Sequence, residues 1–298
     1  MLKISSLIRE DREFLSAMDT LSEGLVREKP LPIVINGLSG GATLAFVSSA
    51  VAHANSVSDG TAVIFVPTEE ERARLCAYLI PDGIAAAEYK SREPVLHNIS
   101  ASHDVERERL SVLSRLLSGG LRAVVTTPSA ALSLTMPPQL LSTLSLSLAV
   151  GDEISPDGLA KRLTSLGFNP VDAVEGRGQF ARRGGIVDFY GANMEFAVRC
   201  EFFGDEIDRL SSFDTGSQRT LENIDGISIL PAREVVVDNA ARTRMLAEID
   251  RLISSTEISE EIRARLLRER ASVDALGSME FRDKYLPLIY ERATLFSY

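Results

Sequence analysis

Little in this chain of 298 residues is chemically reactive. Its two cysteines, Cys76 and Cys200, stand far apart, and neither has a metal-ligating neighbour at the spacing a zinc site needs. The sequence therefore carries no disulfide framework, and its cysteine usage fits a reducing cytoplasm. There is no signal peptide and no apolar run of the ~18 residues that a spanning helix takes, so a soluble, cytoplasmic chain with no membrane partner is expected. Lysine is scarce as well: 5 of the 32 basic residues, the other 27 being arginine. Arginine suits planar, bidentate contacts to carboxylate or phosphate, but a GC-rich genome's codon bias produces the same excess, and the ratio alone assigns no function. Finally, positive charge is in deficit. A net charge of −10 and a pI near 5.0 argue against the broad basic face that a free-standing nucleic-acid-binding module needs.

What is present is an ordinary globular composition, 45% hydrophobic and 25% charged, at a length that predicts roughly two domains. Residues 1 to about 135 alternate helix and strand in the rhythm of a parallel sheet. Periodicity predicts an amphipathic helix over Leu2–Ser16, strands at Leu31–Asn36, Thr61–Val66, Ala85–Tyr89 and Arg122–Thr126, and helices at Glu69–Leu79 and His103–Leu117. Pro137-Pro138 marks a boundary, followed by an alternating strand over Leu144–Val150 and a helix opened by Ser155-Pro156. A second boundary falls at Pro231, beyond which Ala240–Ser254 and Ile258–Arg270 have helical periodicity. The closing TLFSY is apolar and without turn signals, as in a segment cut from a longer protein.

The stretch Gly37-Leu-Ser-Gly-Gly-Ala-Thr-Leu44 sits where a phosphate-binding loop would sit, after an expected strand and before a helix. Laid on the G-x-x-x-x-G-K-[ST] pattern, Ala42 replaces the second glycine, Thr43 the lysine and Leu44 the Mg²⁺-binding hydroxyl, so the shape lacks the chemistry. Gly37-x-Ser39-x-Gly41 also fits a nucleophile elbow. No histidine follows at the end of a later strand to serve as base: His53 lies in the helix opened by the turn, and His97 and His103 come soon after. The acidic pairs Asp152-Glu153, Asp205-Glu206 and Glu260-Glu261 read as turn and helix-start residues.

The most informative stretch runs from Gly176 to Asp214, short alternating strands punctuated by Gly184-Gly185, Gly191 and Gly204-Asp205, with Arg177, Arg182 and Arg183 clustered around Phe180. Arginine and aromatic residues are those that most often anchor protein interfaces. QFARRGGIVDFY, EFFGDEIDRLSSFDTGSQRT and ISILPAREVV closely resemble the second domain of bacterial transcription-repair coupling factor, which is similar to a domain of excinuclease B. In both families that domain is the surface that binds excinuclease A.

The resemblance implies an α/β fold: a degenerate P-loop-type, RecA-like remnant over residues 1–136, an inserted small α+β partner-binding domain over 137–231, and a helical return segment over 232–298 that completes the first domain. Gly37, Ser39, Gly40, Gly41, Ala42, Thr43 and Leu44 then form the remnant of a lost ATP site. Arg183 takes the arginine of the family's F-x-x-R-G motif and Glu201 the acidic position of the same surface, with Arg182, Arg177, Phe180 and Arg199 as further partner-binding residues. Ala181 and Asn169-Pro170 depart from the family, which usually has basic residues there. Between Tyr89 and His103 only Tyr89 is aromatic, so the aromatic hairpin with which excinuclease B clamps DNA is not expected. The implied function is recruitment of excinuclease A by a chain that is not itself an enzyme and binds no cofactor. ATP and Mg²⁺, DNA and RNA polymerase would be engaged by other parts of a longer translocase. The alternative is a nucleotide-binding or DNA-binding module of an excinuclease-B-like repair helicase.

Overall fold

The computed structural model of the protein describes residues 4–26, 32–92, 103–237, 239–274 and 285–298. It is a mixed α/β structure in two compact units, Met1–Ser91 with Arg115–Ala131, and Arg92–Ser114 with Leu132–Tyr298.

The first unit opens with α1 (Ile4–Ile8) and α2 (Arg12–Val26), where periodicity predicts a single helix. Asp11 divides them, because its carboxylate accepts the backbone N–H groups of Glu13 (2.9 Å) and Phe14 (3.0 Å) and so starts a new helix. There follow α3 (Gly41–Val57), β1 (Ala62–Phe65), α4 (Glu69–Leu79), β2 (Ala86–Tyr89) and β3 (Ala123–Thr126); α5 (Asp104–Leu117), which precedes β3 in the chain, belongs for most of its length to the second unit. The strands form a parallel sheet in the order β1-β3-β2, with β3 central and buried throughout. α4 is capped by the Thr68 hydroxyl, which accepts from the Glu71 N–H, and carries Glu69, Glu70 and Glu71 at the positive end of its dipole. Its Leu75, Cys76 and Leu79 pack with Val51 of α3 on Ala86, Ala123 and Val125. Burial, reinforced by Glu88, pushes the Cys76 thiol up to about 11, so it is a packing residue rather than a nucleophile.

The strand expected at Leu31–Asn36 does not form. Leu31 lies outside the described residues, residues 32–36 have no strand structure, and Val34 is 76% exposed. A short apolar run becomes a strand only where a neighbouring strand completes its hydrogen-bond ladder, and among the described residues no strand pairs with this run.

A short helix, α6 (Pro128–Leu132), leads to α7 (Pro138–Leu144) in the second unit. Pro138 begins α7 rather than interrupting the chain, since at the first helical position proline gives up an N–H that has no partner anyway. Leu144 closes that helix, which shortens the expected strand to β4 (Leu146–Ala149). Next come α8 (Pro156–Ser165), β5 (Asn169–Pro170), β6 (Gln179–Arg183), β7 (Ile186–Phe189), β8 (Ala197–Phe203), β9 (Glu206–Phe213), β10 (Thr220–Ile224) and β11 (Gly226–Ile229), and then α9 (Asn239–Ile253), α10 (Glu260–Asp274) and α11 (Leu286–Ile289). Strands β5 to β10 form a six-stranded sheet in sequence order, antiparallel except for β5 beside β6, while β4 and β11 make a separate antiparallel ribbon. Alternation sends Phe180, Val187, Phe189, Val198, Cys200 and Leu210 to one face, where they meet Leu159, Leu163 and Leu166, which recur at helical spacing along α8 and its end. Ser155 starts α8 by accepting the Gly158 N–H at 3.0 Å, and Gly167 ends it at φ +86°.

The return segment is held to the rest of this unit by a buried polar network. Arg109 of α5, fully buried, donates two 2.9 Å hydrogen bonds to the two carboxylate oxygens of Glu234, which is buried as well. Thr135 donates its hydroxyl to the same carboxylate, Tyr290 donates to the Glu234 carbonyl, and the Glu234 N–H donates to Glu106 at 3.0 Å. Burial alone would raise the Glu106 pKa, but a hydrogen bond to His103 and the guanidinium groups of Arg92 and Arg233 hold it below its ordinary value. Residues 232–298, read from the sequence as returning to the first domain, thus lie in the second compact unit.

Replacing Arg109 with alanine strands the Glu234 carboxylate out of water and is expected to lower stability by about 3–5 kcal/mol, whereas Arg109→Met with Glu234→Leu should recover most of that loss. Denaturant unfolding of the two variants measures both, and a single substitution costing no more than the double one would refute this account of the network.

Candidate functional site

The outer face of the six-stranded sheet is set by two tight hairpins. Gly184-Gly185 joins β6 to β7 and Gly204-Asp205 joins β8 to β9, and in each the first glycine takes a positive φ, +61° and +66°. Such turns match the natural twist of paired strands and fix their register. With a one-residue register shift between Glu201 and Phe202, Arg183, Ile186, Glu201 and Arg209 stand side by side across β6, β7, β8 and β9. The neighbouring row on the same face is Ala181, Asp188, Arg199 and Ser211. Opposite residues in such rows lie ~5 Å apart, so Arg183 and Glu201, one strand removed, are within about 10 Å.

The expected partner-binding residues divide into free and committed groups. Arg183 is exposed; its Nε and Nη2 donate to the backbone carbonyl of Asp172 at 3.2 and 2.6 Å, and among the described residues it has no carboxylate partner. Glu201 is partly exposed, with Arg209 at 3.4 Å in the same row. Arg199 is committed: it meets Asp188 through two hydrogen bonds of 2.8 and 2.7 Å and stacks on Phe213 with its guanidinium carbon 4.8 Å from the ring centre. The hydrogen bonds to Asp188 hold its pKa above the ordinary arginine value. Arg177 lies over the Tyr190 ring at 5.0 Å and donates to the Met194 carbonyl. Arg182 points to the opposite side of the sheet, paired in register with Val187, and its Nη1 is 2.6 Å from Asp157 of α8.

Phe180 requires a correction. Expected among the partner contacts, it is 5% exposed and belongs to the core beneath α8. It stands three positions before Arg183, and an odd spacing in a strand places two side chains on opposite faces. Sequence reading also missed Arg209 and Asp188. Counting outward from Gly184-Gly185 would have placed Asp188 opposite Ala181; Arg209 stands opposite Glu201 only through the register shift between Glu201 and Phe202, for which the sequence carries no such signal.

In the first unit, Gly37 and Gly40 take φ values of +85° and +53°, the Ser39 backbone carbonyl accepts the Ala42 N–H at 3.1 Å, and α3 begins at Gly41 with no side-chain cap. Thr43 is exposed, while Leu44 packs on the core formed by α3, α4 and the sheet. His53 hydrogen-bonds to the Ser22 hydroxyl at 3.0 Å and His103 to Glu106; His97 lies outside the described residues, as does much of the segment following Tyr89. Tyr89 itself is fully buried. Among the described residues no group of His, Cys, Asp or Glu is arranged to hold a metal ion, and no helix is long and apolar enough to cross a membrane.

Residues 146–235, from β4 through β11, match the family of the UvrB interaction domain. Over its whole length the chain is similar to the transcription-repair-coupling factor of Bacillus subtilis, at 28% identity over all of this chain and 26% of that protein. The transcription-repair-coupling factor of Mycobacterium tuberculosis is 37% identical over 54% of the chain and 14% of its own length. The UvrABC system protein B of Kosmotoga olearia is 32% identical over 49% of the chain and 22% of its own. These matches uphold the resemblance drawn from QFARRGGIVDFY and the segments after it. The chain spans about a quarter or less of the length of each of these relatives.

The two arginines of the face should separate in a stability measurement. Arg199→Ala leaves the buried Asp188 carboxylate without its partner and is expected to cost about 2–3 kcal/mol, less than a fully buried pair because Arg199 keeps some solvent contact. Arg183→Ala removes one carbonyl contact at the surface and is expected to stay within ~0.5 kcal/mol of the parent. Thermal and denaturant unfolding of both variants checks the ranking, and equal losses would contradict it.

Proposed function

We propose that this chain is the amino-terminal recruitment module of a transcription-repair coupling factor, bringing excinuclease A to stalled transcription complexes by direct protein contact. The observation that carries this reading is Arg183, an exposed guanidinium with no carboxylate of its own among the described residues, held by the Asp172 carbonyl on a sheet face that also presents Glu201 and Arg209. A guanidinium already oriented loses little freedom when it meets a carboxylate on a partner. The docking domain is residues 137–231. The module acts in the cytoplasm, while RNA polymerase, DNA and ATP with Mg²⁺ are handled by later parts of the parent protein.

The same reading takes the turn at Gly37–Leu44 as the remnant of a P-loop. With Thr43 in place of the lysine and Leu44, packed into the core, in place of the serine or threonine, neither an ammonium nor a metal-binding hydroxyl stands where the motif needs it. Isothermal titration with ATP and Mg²⁺ is expected to give no binding up to millimolar concentration; Mg²⁺-dependent binding in the micromolar range would overturn the assignment.

Docking is tested by Arg183→Glu. It removes a charge-assisted bond and sets two acids against each other, a loss of about 2–5 kcal/mol, or ~30-fold or more in affinity for excinuclease A. Calorimetric or surface-based binding is measured beside the melting temperature of the same preparation. Unchanged affinity in a variant that melts like the parent would remove Arg183 from the contact.

A further inference from the structure

Phe203 is the most exposed large apolar residue among the described ones, with 81% of its surface open to solvent. Single exposed apolar side chains are common and need no explanation by themselves. This one differs in where it stands and in how firmly it is held. The register of β8 and β9 shifts between Glu201 and Phe202: Glu201 pairs with Arg209, Phe202 with Ile207 and Phe203 with Glu206. Phe202 and Ile207 both pack toward the core beneath α8, so Phe203 faces the other way, onto the side that carries Glu201 and Arg183. It sits two residues along the strand from Glu201, ~7 Å away.

The hairpin that bears it is clamped by backbone hydrogen bonds on both flanks. On one side the Phe202 N–H donates to the Gly185 carbonyl at 2.9 Å, tying it to the turn beside Arg183. On the other, the Gly151 N–H donates to Ile207, the Ile207 N–H to Asp152 and the Ile154 N–H to Asp205, at 2.8 to 3.0 Å. A side chain at Gly184 or Gly204 would meet nothing within 4 Å, so the tip is open space. An aromatic ring in water on a backbone fixed at both edges has the properties of a preformed interface anchor: large apolar area and little freedom left to lose.

We propose that Phe203 is the apolar anchor of the docking face, inserting into an apolar pocket of the partner whose rim supplies the carboxylate met by Arg183. This rests on the reading that excinuclease A docks on this face. The charge pattern argues for that chemistry. Arg183 needs an acidic group, Glu201 is already matched in its row by Arg209, and the ring beside them has no cover of its own. The partner therefore offers an acid-rimmed apolar pocket rather than a uniformly charged surface.

The test measures binding of purified excinuclease A to the parent chain, to Phe203→Ala, to Phe203→Leu and to Arg183→Glu, with a melting temperature for each. Phe203→Ala is expected to melt like the parent, or slightly higher, and to bind at least ~10-fold more weakly, with Phe203→Leu in between. Should Phe203→Ala bind within twofold of the parent while Arg183→Glu fails to bind, the anchor is refuted and the docking face survives. Should both variants bind like the parent, or the parent not bind, the docking reading falls and the anchor falls with it. A fold-independent check is Phe203→Glu, which is expected to abolish binding; binding retained by that variant also refutes the anchor.

Discussion

A guanidinium and a carboxylate removed from water hold the second unit together. Arg109 and Glu234 lie 125 positions apart in the chain and are both almost completely buried. Each would be costly alone, and together they stay satisfied only because Thr135 completes the carboxylate and Tyr290 and Glu106 take up the backbone around it. The constraint is geometric as much as energetic. A bidentate pair fixes distance and plane, so α5, the segment following β11 and the stretch before α7 can be arranged in one way only. An apolar contact of the same area would tolerate sliding.

The outer face of the six-stranded sheet obeys the same rule in two strengths. Arg199 and Asp188 form a bidentate pair at the centre of the sheet, which ties β7 to β8 and cancels their charges. One row outward, Arg183 is oriented by a carbonyl and left electrically unanswered among the described residues. An arginine answered inside the fold contributes shape, and one left unanswered contributes attraction. The chain's excess of arginine over lysine becomes intelligible here, because planar donors can be aimed by a single carbonyl in a way that an ammonium cannot.

Much of this was legible in the residues. Hydrophobic alternation and the glycine turns located the strands of the sheet from Gln179 to Phe213, and Pro156 with Ser155 located α8. Phe180 was misplaced because composition marks an aromatic beside arginines as an interface residue, while the parity of its position marks it as core; parity wins because a strand has no other way to point a side chain. The strand at Leu31–Asn36 failed for the converse reason, since its pattern is right and its partner is missing. The Arg109–Glu234 pair left no local signal, as buried ion pairs between distant segments have no periodicity to betray them.

The ribbon of β4 and β11 has a consequence for how such a domain travels. Leu146 lies opposite Ile229 and Ala149 opposite Gly226, so the chain departs and comes back along one shared path, its two ends ~5 Å apart. Beside this ribbon, the Ala232 N–H donates to the Leu166 carbonyl and Leu144 packs on the same core. A segment attached in this way asks of its host little beyond a place where two strands can run side by side, and it can be cut out of one protein and seated in another without stretching either.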